Sequence, residues 1–174
     1  MRPAPFSLRS CVQDVLETLR PIAQEKQLSL SLDFPEDLPA AIVSDRGRLS
    51  QILTNLLGNA IKFTEHGSVS LAVSGEPPAS GHADAAGVED GGEWTWKFTV
   101  ADTGPGIPPE DLPRIFEAFY RGRTAQTSGS GLGLMISQRI VTLLGGNISV
   151  SNRFPHGAEF CATILAPRAP NNPQ

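Results

Sequence analysis

The stretch Arg46–Phe63, RGRLSQILTNLLGNAIKF, decides how this chain is read. Leu49, Ile52, Leu53, Leu56, Leu57, Ala60 and Ile61 recur at three- and four-residue steps, which predicts a helix with one apolar face. Its polar side carries an anomaly. Asn55 and Asn59 are four residues apart and Lys62 is three further on, so all three project from one face. Asparagine is a mediocre helix former because its amide competes for backbone hydrogen bonds, and two of them mid-helix need a reason. A solvated face is one reading. The other is a site for a hydrated cation and an anion, since an amide oxygen suits Mg²⁺ and an ammonium suits phosphate.

Outward from this helix the pattern continues. Leu8, Cys11, Val12, Val15, Leu16, Leu19, Ile22 and Ala23 form the apolar stripe of an earlier helix, with Ser7 as its N-cap. Leu28, Leu30 and Leu32 alternate with polar residues, the period of a half-buried strand. Strands are expected at Ser68–Ser74 and Trp94–Ala101, a short helix around Leu112–Phe119, and an apolar helix from about Leu132 to Leu144. Two strands follow, Asn147–Ser151 and Ala158–Ala166. These elements do not alternate as βαβ units, and several strands are joined by short links. The expected fold is α+β: a two-layer sandwich in which a mixed, antiparallel-rich sheet carries three main helices on one face. There is no internal repeat.

Composition narrows the class. The chain has 174 residues, 40% apolar and 18% charged, with a formal net charge of −4. That is one domain, able to bury roughly 70% of its unfolded surface. Disorder of the whole chain is excluded, and no run approaches the ~18 apolar residues of a membrane span. The acidic balance argues against nucleic acid, which needs a basic face. The first residues lack a basic-then-apolar leader, so the reading is a soluble, cytoplasmic domain. Cys11 and Cys161 match no metal spacing and read as buried thiols rather than a disulfide. Among 17 glycines and 15 prolines, one group falls in Gly75–Gly92, GEPPASGHADAAGVEDGG, which has almost nothing to pack with. It reads as a flexible insertion in a domain of residues 1–167, and Pro167–Gln174 reads as a frayed end.

Two further glycine groups bear on chemistry. Asp102-Thr103-Gly104-Pro105-Gly106-Ile107 follows an apolar strand. A carboxylate there can accept hydrogen bonds while the glycines let backbone approach a flat ligand; a plain turn has the same composition. Gly129-Ser130-Gly131-Leu132-Gly133-Leu134 opens the last helix. Glycines at a helix start leave N–H groups free to face an anion. The group lacks the Gly-Lys-Ser/Thr ending of a Walker loop, and its G-x-G-x-G spacing after polar residues is not the dinucleotide fingerprint. Taken in order, the three groups describe a Mg-nucleotide site.

On these motifs the chain resembles the catalytic and ATP-binding domain of sensor histidine kinases, within the wider group that holds gyrase, the heat-shock chaperone and the mismatch-repair ATPases. The resemblance runs from Phe6 to Pro167 apart from the insertion. QILTNLLGNAIKFT (51–64) resembles the N box, DTGPGI (102–107) the first glycine box, IFEAFYR (115–121) the F box and GSGLGL (129–134) the second glycine box. Gly157-Ala158-Glu159-Phe160 stands at the last glycine motif. The resemblance implies the Bergerat ATP-binding fold, with ATP and Mg²⁺ as cofactors. It implies that Asn59 holds Mg²⁺ and that Asn55 and Lys62 lie near the phosphates as the catalytic pair. It further implies that Asp102 accepts the adenine amino group, Gly104, Gly106 and Ile107 permit close approach, and Phe63 flanks the nucleotide. Gly129, Gly131, Leu132 and Gly133 would form a hinged lid, anchored in the core by Phe116 and Phe119, with Arg121 or Arg123 toward the γ-phosphate.

Departures from the family's patterns shape the functional expectation. Gyrase-like members have a glutamate at the position of Asn55. An amide cannot take a proton at neutral pH, so slow hydrolysis is expected and phosphoryl transfer to a protein is favoured. The family's acceptor histidine lies on a dimerising hairpin, whereas His66, His82 and His156 all read as surface histidines. The chain is therefore expected to be the catalytic part of a larger kinase, its parent open to membrane anchoring. It is expected to be monomeric alone, to lack autophosphorylation, and to serve a downstream response regulator or receiver domain. An ATP-switched binding module without phosphotransfer is the alternative.

Overall fold

The computed structural model describes residues 2–78, 92–120 and 131–169. The order is β1 (Ala4–Ser7), α1 (Leu8–Glu25), β2 (Ser29–Asp33), β3 (Ala41–Ser44), α2 (Arg46–Phe63), β4 (Ser68–Glu76), β5 (Glu93–Asp102), α3 (Gly133–Leu143), β6 (Ile148–Asn152) and β7 (Ala158–Pro167). Five strands make one sheet in the order β2-β4-β5-β7-β6. Only β2 and β4 run parallel; the other three pairs are antiparallel. Along β7 every second residue from Ala158 to Ala166 is buried. Val69, Leu71 and Val73 of β4 and Trp96, Phe98 and Val100 of β5 do the same. These positions meet the apolar faces of the helices, which gives the two-layer α+β fold that the periodicities predict.

Local chemistry starts each of the first two helices. Ser7 Oγ accepts from the Ser10 N–H at 3.2 Å and caps α1. Asp45 caps α2, accepting from Arg48 N–H at 3.0 Å and from Arg2 N–H at 2.9 Å. These two backbone donors hold the Asp45 carboxyl below its ordinary value. At the far end of α2, Lys26 Nζ donates to the carbonyls of Ile61 and Lys62 at 2.7 and 2.9 Å. Those carbonyls have no partner further along the helix, and a cation there also suits the dipole.

Several expectations are corrected. Strands β1 and β3 were not legible; they pair as a separate antiparallel ribbon, with Ala4 opposite Ser44. No helix forms over residues 112–119. Successive three-residue turns run there instead, with Arg114 N bonding Asp111 O and Glu117 N bonding Arg114 O. Gly75 and Glu76 do not belong to the insertion: they extend β4 and pair with Trp96 and Thr95. The frayed end starts later than Pro167, because Arg168 bridges Ile42 and Ala169 is buried. Ile22 leaves the buried stripe of α1 and is half exposed. Both thiols are free; Cys11 is buried but Cys161 only partly. Residues 79–91 of the insertion and the last residues (170–174) lie outside the described residues.

Candidate functional site

The polar face of α2 forms one wall of a cavity of about 820 Å³. Asn55, Asn59, Lys62 and Phe63 stand on that wall. Another wall comes from Asp102 at the end of β5 with Gly106 and Ile107 of the loop after it, and a third from Gly131, Gly133 and, one turn into α3, Ser137. Residues from three separate sequence groups thus face one space of a size ordinary for a small-molecule ligand. Phe63 is 44% exposed, an open apolar surface beside the cavity, with Lys62 Nζ 5.0 Å from its ring centroid.

Asp102 ends β5 and is 7% exposed. Its Oδ1 accepts from the N–H of Gly104 at 2.9 Å and of Ala158 at 3.2 Å. No other hydrogen bond reaches this carboxylate among the described residues, which leaves Oδ2 as the acceptor for a ligand's N–H. Two glycines make this arrangement possible. Gly157 has φ +105°, and a Cβ on it would lie 2.1 Å from the Asp102 carbonyl oxygen. Gly106 has φ +78° and sits against Asn152. Asn152 clamps the loop from below: its Oδ1 accepts from Ile107 N–H at 2.8 Å and its Nδ2 donates to Ile107 O at 2.7 Å.

The residues that the sequence reading assigns to phosphate stand on α2 and at the start of α3. Asn55 Nδ2 donates to Ser137 Oγ at 2.7 Å, and a Cβ on Gly133 would lie 2.1 Å from Asn55 Oδ1. Gly133 is therefore a close-approach glycine at the first residue of α3. Gly131, at φ +69°, packs against the backbone of Phe119 and Tyr120, and its carbonyl accepts the Phe119 N–H at 3.0 Å. Among the described residues no three His, Cys, Asp or Glu side chains gather to hold a metal. A cation caged by protein alone does not fit here. One that keeps its waters and shares phosphate oxygens needs few protein ligands, and the Asn59 amide suits it.

Other predicted residues are placed differently. Gly104 lies behind Asp102, and Leu132 forms the N-cap of α3. Phe116 packs on the core, but Phe119 does not anchor anything there: it is 72% exposed, at φ 62°. The left-handed backbone turns its ring outward. Arg121, Arg123 and Gly129 lie outside the described residues, as does His82. His66 and His156 are exposed. Sequence reasoning missed Ser137, Asn152, Lys26 and the buried Asp111, whose Oδ1 accepts from Tyr120 Oη at 2.5 Å. Ser137, Asn152 and Lys26 carry no local signal, since each acts on a partner 35 or more residues away.

Residues 44–168 match the family described as Histidine kinase-, DNA gyrase B-, and HSP90-like ATPase. The chain belongs to that family. It is 38% identical over 168 residues to the Sensor protein GacS of Pseudomonas syringae pv. syringae, covering 95% of this chain and 17% of that protein. It is 43% identical over 158 residues to the Sensor histidine kinase AruS of Pseudomonas aeruginosa, covering 89% of this chain and 15% of that one. The chain thus spans about a sixth of these curated relatives. Full-length ShkA, solved in complex with AMPPNP, superposes with TM-score 0.77 at 37% identity over 97% of this chain and 32% of that chain. The catalytic domain of histidine kinase ThkA, nucleotide-free, superposes with TM-score 0.73 at 27% identity, covering 97% of each chain. The ATPase-family domain described here is of the ATP-binding catalytic type found in sensor histidine kinases. No helix of the described residues is long and apolar enough to cross a membrane.

Proposed function

We propose that this domain binds Mg-ATP and passes its γ-phosphoryl group to a histidine on a dimerisation hairpin elsewhere in the parent kinase. The observation that carries this is the single cavity that joins Asp102, with one carboxylate oxygen pinned by two N–H groups, to the amides and ammonium of α2. Asp102 Oδ2 accepts from the adenine amino group, which a guanine carbonyl cannot replace. Lys62 and the first turn of α3 receive the phosphates, and the Asn59 amide is the protein ligand for Mg²⁺, which supplies charge neutralisation on the phosphate oxygens. Phe63 covers one side of the nucleotide.

No side chain in this wall is suited to activate water. Asn55 stands where a general base would be needed, and its amide is committed to Ser137. Hydrolysis is accordingly slow, and the productive acceptor is an imidazole nitrogen. A P–N bond forms to it as the bond from the γ-phosphorus to the bridging oxygen breaks, and ADP leaves. From there the phosphoryl group passes to a response regulator or receiver domain. The domain works as a monomer in the cytoplasm, whether or not its parent is anchored in a membrane.

The test mixes the domain with a separately made histidine-bearing hairpin and γ-labelled ATP. Label on the hairpin histidine, absent from a hairpin lacking that histidine, is the expected result. ATP binding without any transfer to such hairpins would instead support a switched binding module.

A further inference from the structure

Ser137 lies in the middle of α3, 1% exposed, directly after the apolar Leu134-Met135-Ile136. A serine inside a helix ordinarily turns its hydroxyl back to its own backbone or out to water. This one bonds across to another helix. Its Oγ accepts from Asn55 Nδ2 at 2.7 Å, joining residues 82 positions apart in sequence. The opposite end of the same amide is also fixed, because Asn55 Oδ1 fills the space beside Gly133 that a Cβ would need. Gly133 and Ser137 are one helical turn apart and share a face of α3. The Asn55 amide is wedged between them.

An amide has a donor end and an acceptor end, and which end faces a ligand matters. With Nδ2 held by Ser137, Oδ1 is turned toward the first residue of α3. We infer that Ser137 is a positioning residue for the triphosphate end of the cavity. Its hydroxyl sets the orientation of the Asn55 amide and ties the first turn of α3, where the backbone N–H groups have no helical partner, to α2. The inference rests on the nucleotide reading of the cavity. It explains two otherwise separate facts: a buried hydroxyl in an apolar helix, and a glycine at Gly133 with no positive φ to require it.

The test is a double-mutant cycle on Ser137→Ala and Asn55→Ala, with Mg-ATP binding by calorimetry and adenosine binding by NMR titration. Loss of one hydrogen bond predicts roughly three- to tenfold weaker Mg-ATP binding in Ser137→Ala. Adenosine, which has no phosphates, should bind within about twofold of wild type. On the Asn55→Ala background, Ser137→Ala should change nothing further, since its action runs through that amide. Mg-ATP binding unchanged in Ser137→Ala overturns the inference. So does equal weakening of ATP and adenosine, which marks a merely structural role, or an undiminished effect on the Asn55→Ala background. If wild type binds ATP and Asp102→Asn loses it while Ser137→Ala matches wild type, the inference alone fails. If wild type binds no ATP, the nucleotide reading fails with it.

Discussion

Gly157→Ala adds one methyl group where backbone already stands. At φ +105° a side chain is strained, a cost of ~1–3 kcal/mol. The new Cβ would also lie 2.1 Å from the Asp102 carbonyl oxygen and 3.0 Å from its carbonyl carbon. Neither is the end of a flexible side chain, so the β6–β7 loop and the end of β5 must part. Ala158 is the next residue, and its N–H bond to Asp102 Oδ1 is carried off with the loop. A hydrogen bond to a charged group contributes ~1.5–3 kcal/mol. Together the two effects come to about 2.5–6 kcal/mol. For a domain of 174 residues each kcal/mol moves Tm by about 2–4 °C, so a fall of roughly 5–24 °C is expected. Thermal unfolding followed by circular dichroism measures it, and calorimetry at low temperature measures ATP affinity in the fraction still folded. Affinity should fall too, because Asp102 loses one of the two donors that orient it. A Tm within about 2 °C of wild type, with ATP affinity unchanged, would refute the claim that Gly157 is a glycine for the sake of Asp102.

Gly58→Ala is expected to act in the opposite direction. No atom lies within 4 Å of its would-be Cβ, so the helix gains ~0.8–1 kcal/mol and Tm rises by about 2–4 °C in thermal unfolding. A lower Tm would contradict it. Asp45→Ala removes the α2 cap and should cost about 1 kcal/mol at pH 7 in urea unfolding. Because the folded Asp45 carboxyl sits below its ordinary value, its contribution is present above about pH 4 and lost as pH falls through the lowered folded value. The stability gap between wild type and Asp45→Ala should therefore close on acidification; a gap constant down to about pH 2 would overturn that reading.

How much was legible in the sequence follows from how far each signal reaches. The buried face of α2 repeats within a single helix, and all seven of its predicted core positions are buried. The N-cap at Ser7 and the long strands were local signals too. By contrast β1 and β3 are four residues each, too short to show a period, and exist because they pair with one another. The FEAF segment has the apolar spacing of a helix, yet the chain takes tight turns there and Phe119 ends outside the core. At the site, asparagines and glycines in unusual places pointed to the cavity residue by residue. Ser137 did not, because a single serine in an apolar helix is informative only once Asn55 is seen beside it. Gly133 looked like part of a hinge, and its glycine is explained by the same amide.

The central claim is that Asp102 reads the base of a bound ATP. The most direct measurement is calorimetric binding of ATP and of GTP, each with Mg²⁺, to wild type and to Asp102→Asn. Asparagine keeps an oxygen for the Gly104 and Ala158 N–H groups but turns an NH₂ toward the base, donor against donor. The account predicts selective ATP binding by wild type and a loss of ~1.5–3 kcal/mol, about 10- to 150-fold, in the variant, with GTP weakened far less. Equal affinity of wild type for ATP and GTP, or undiminished ATP binding by Asp102→Asn, would contradict it.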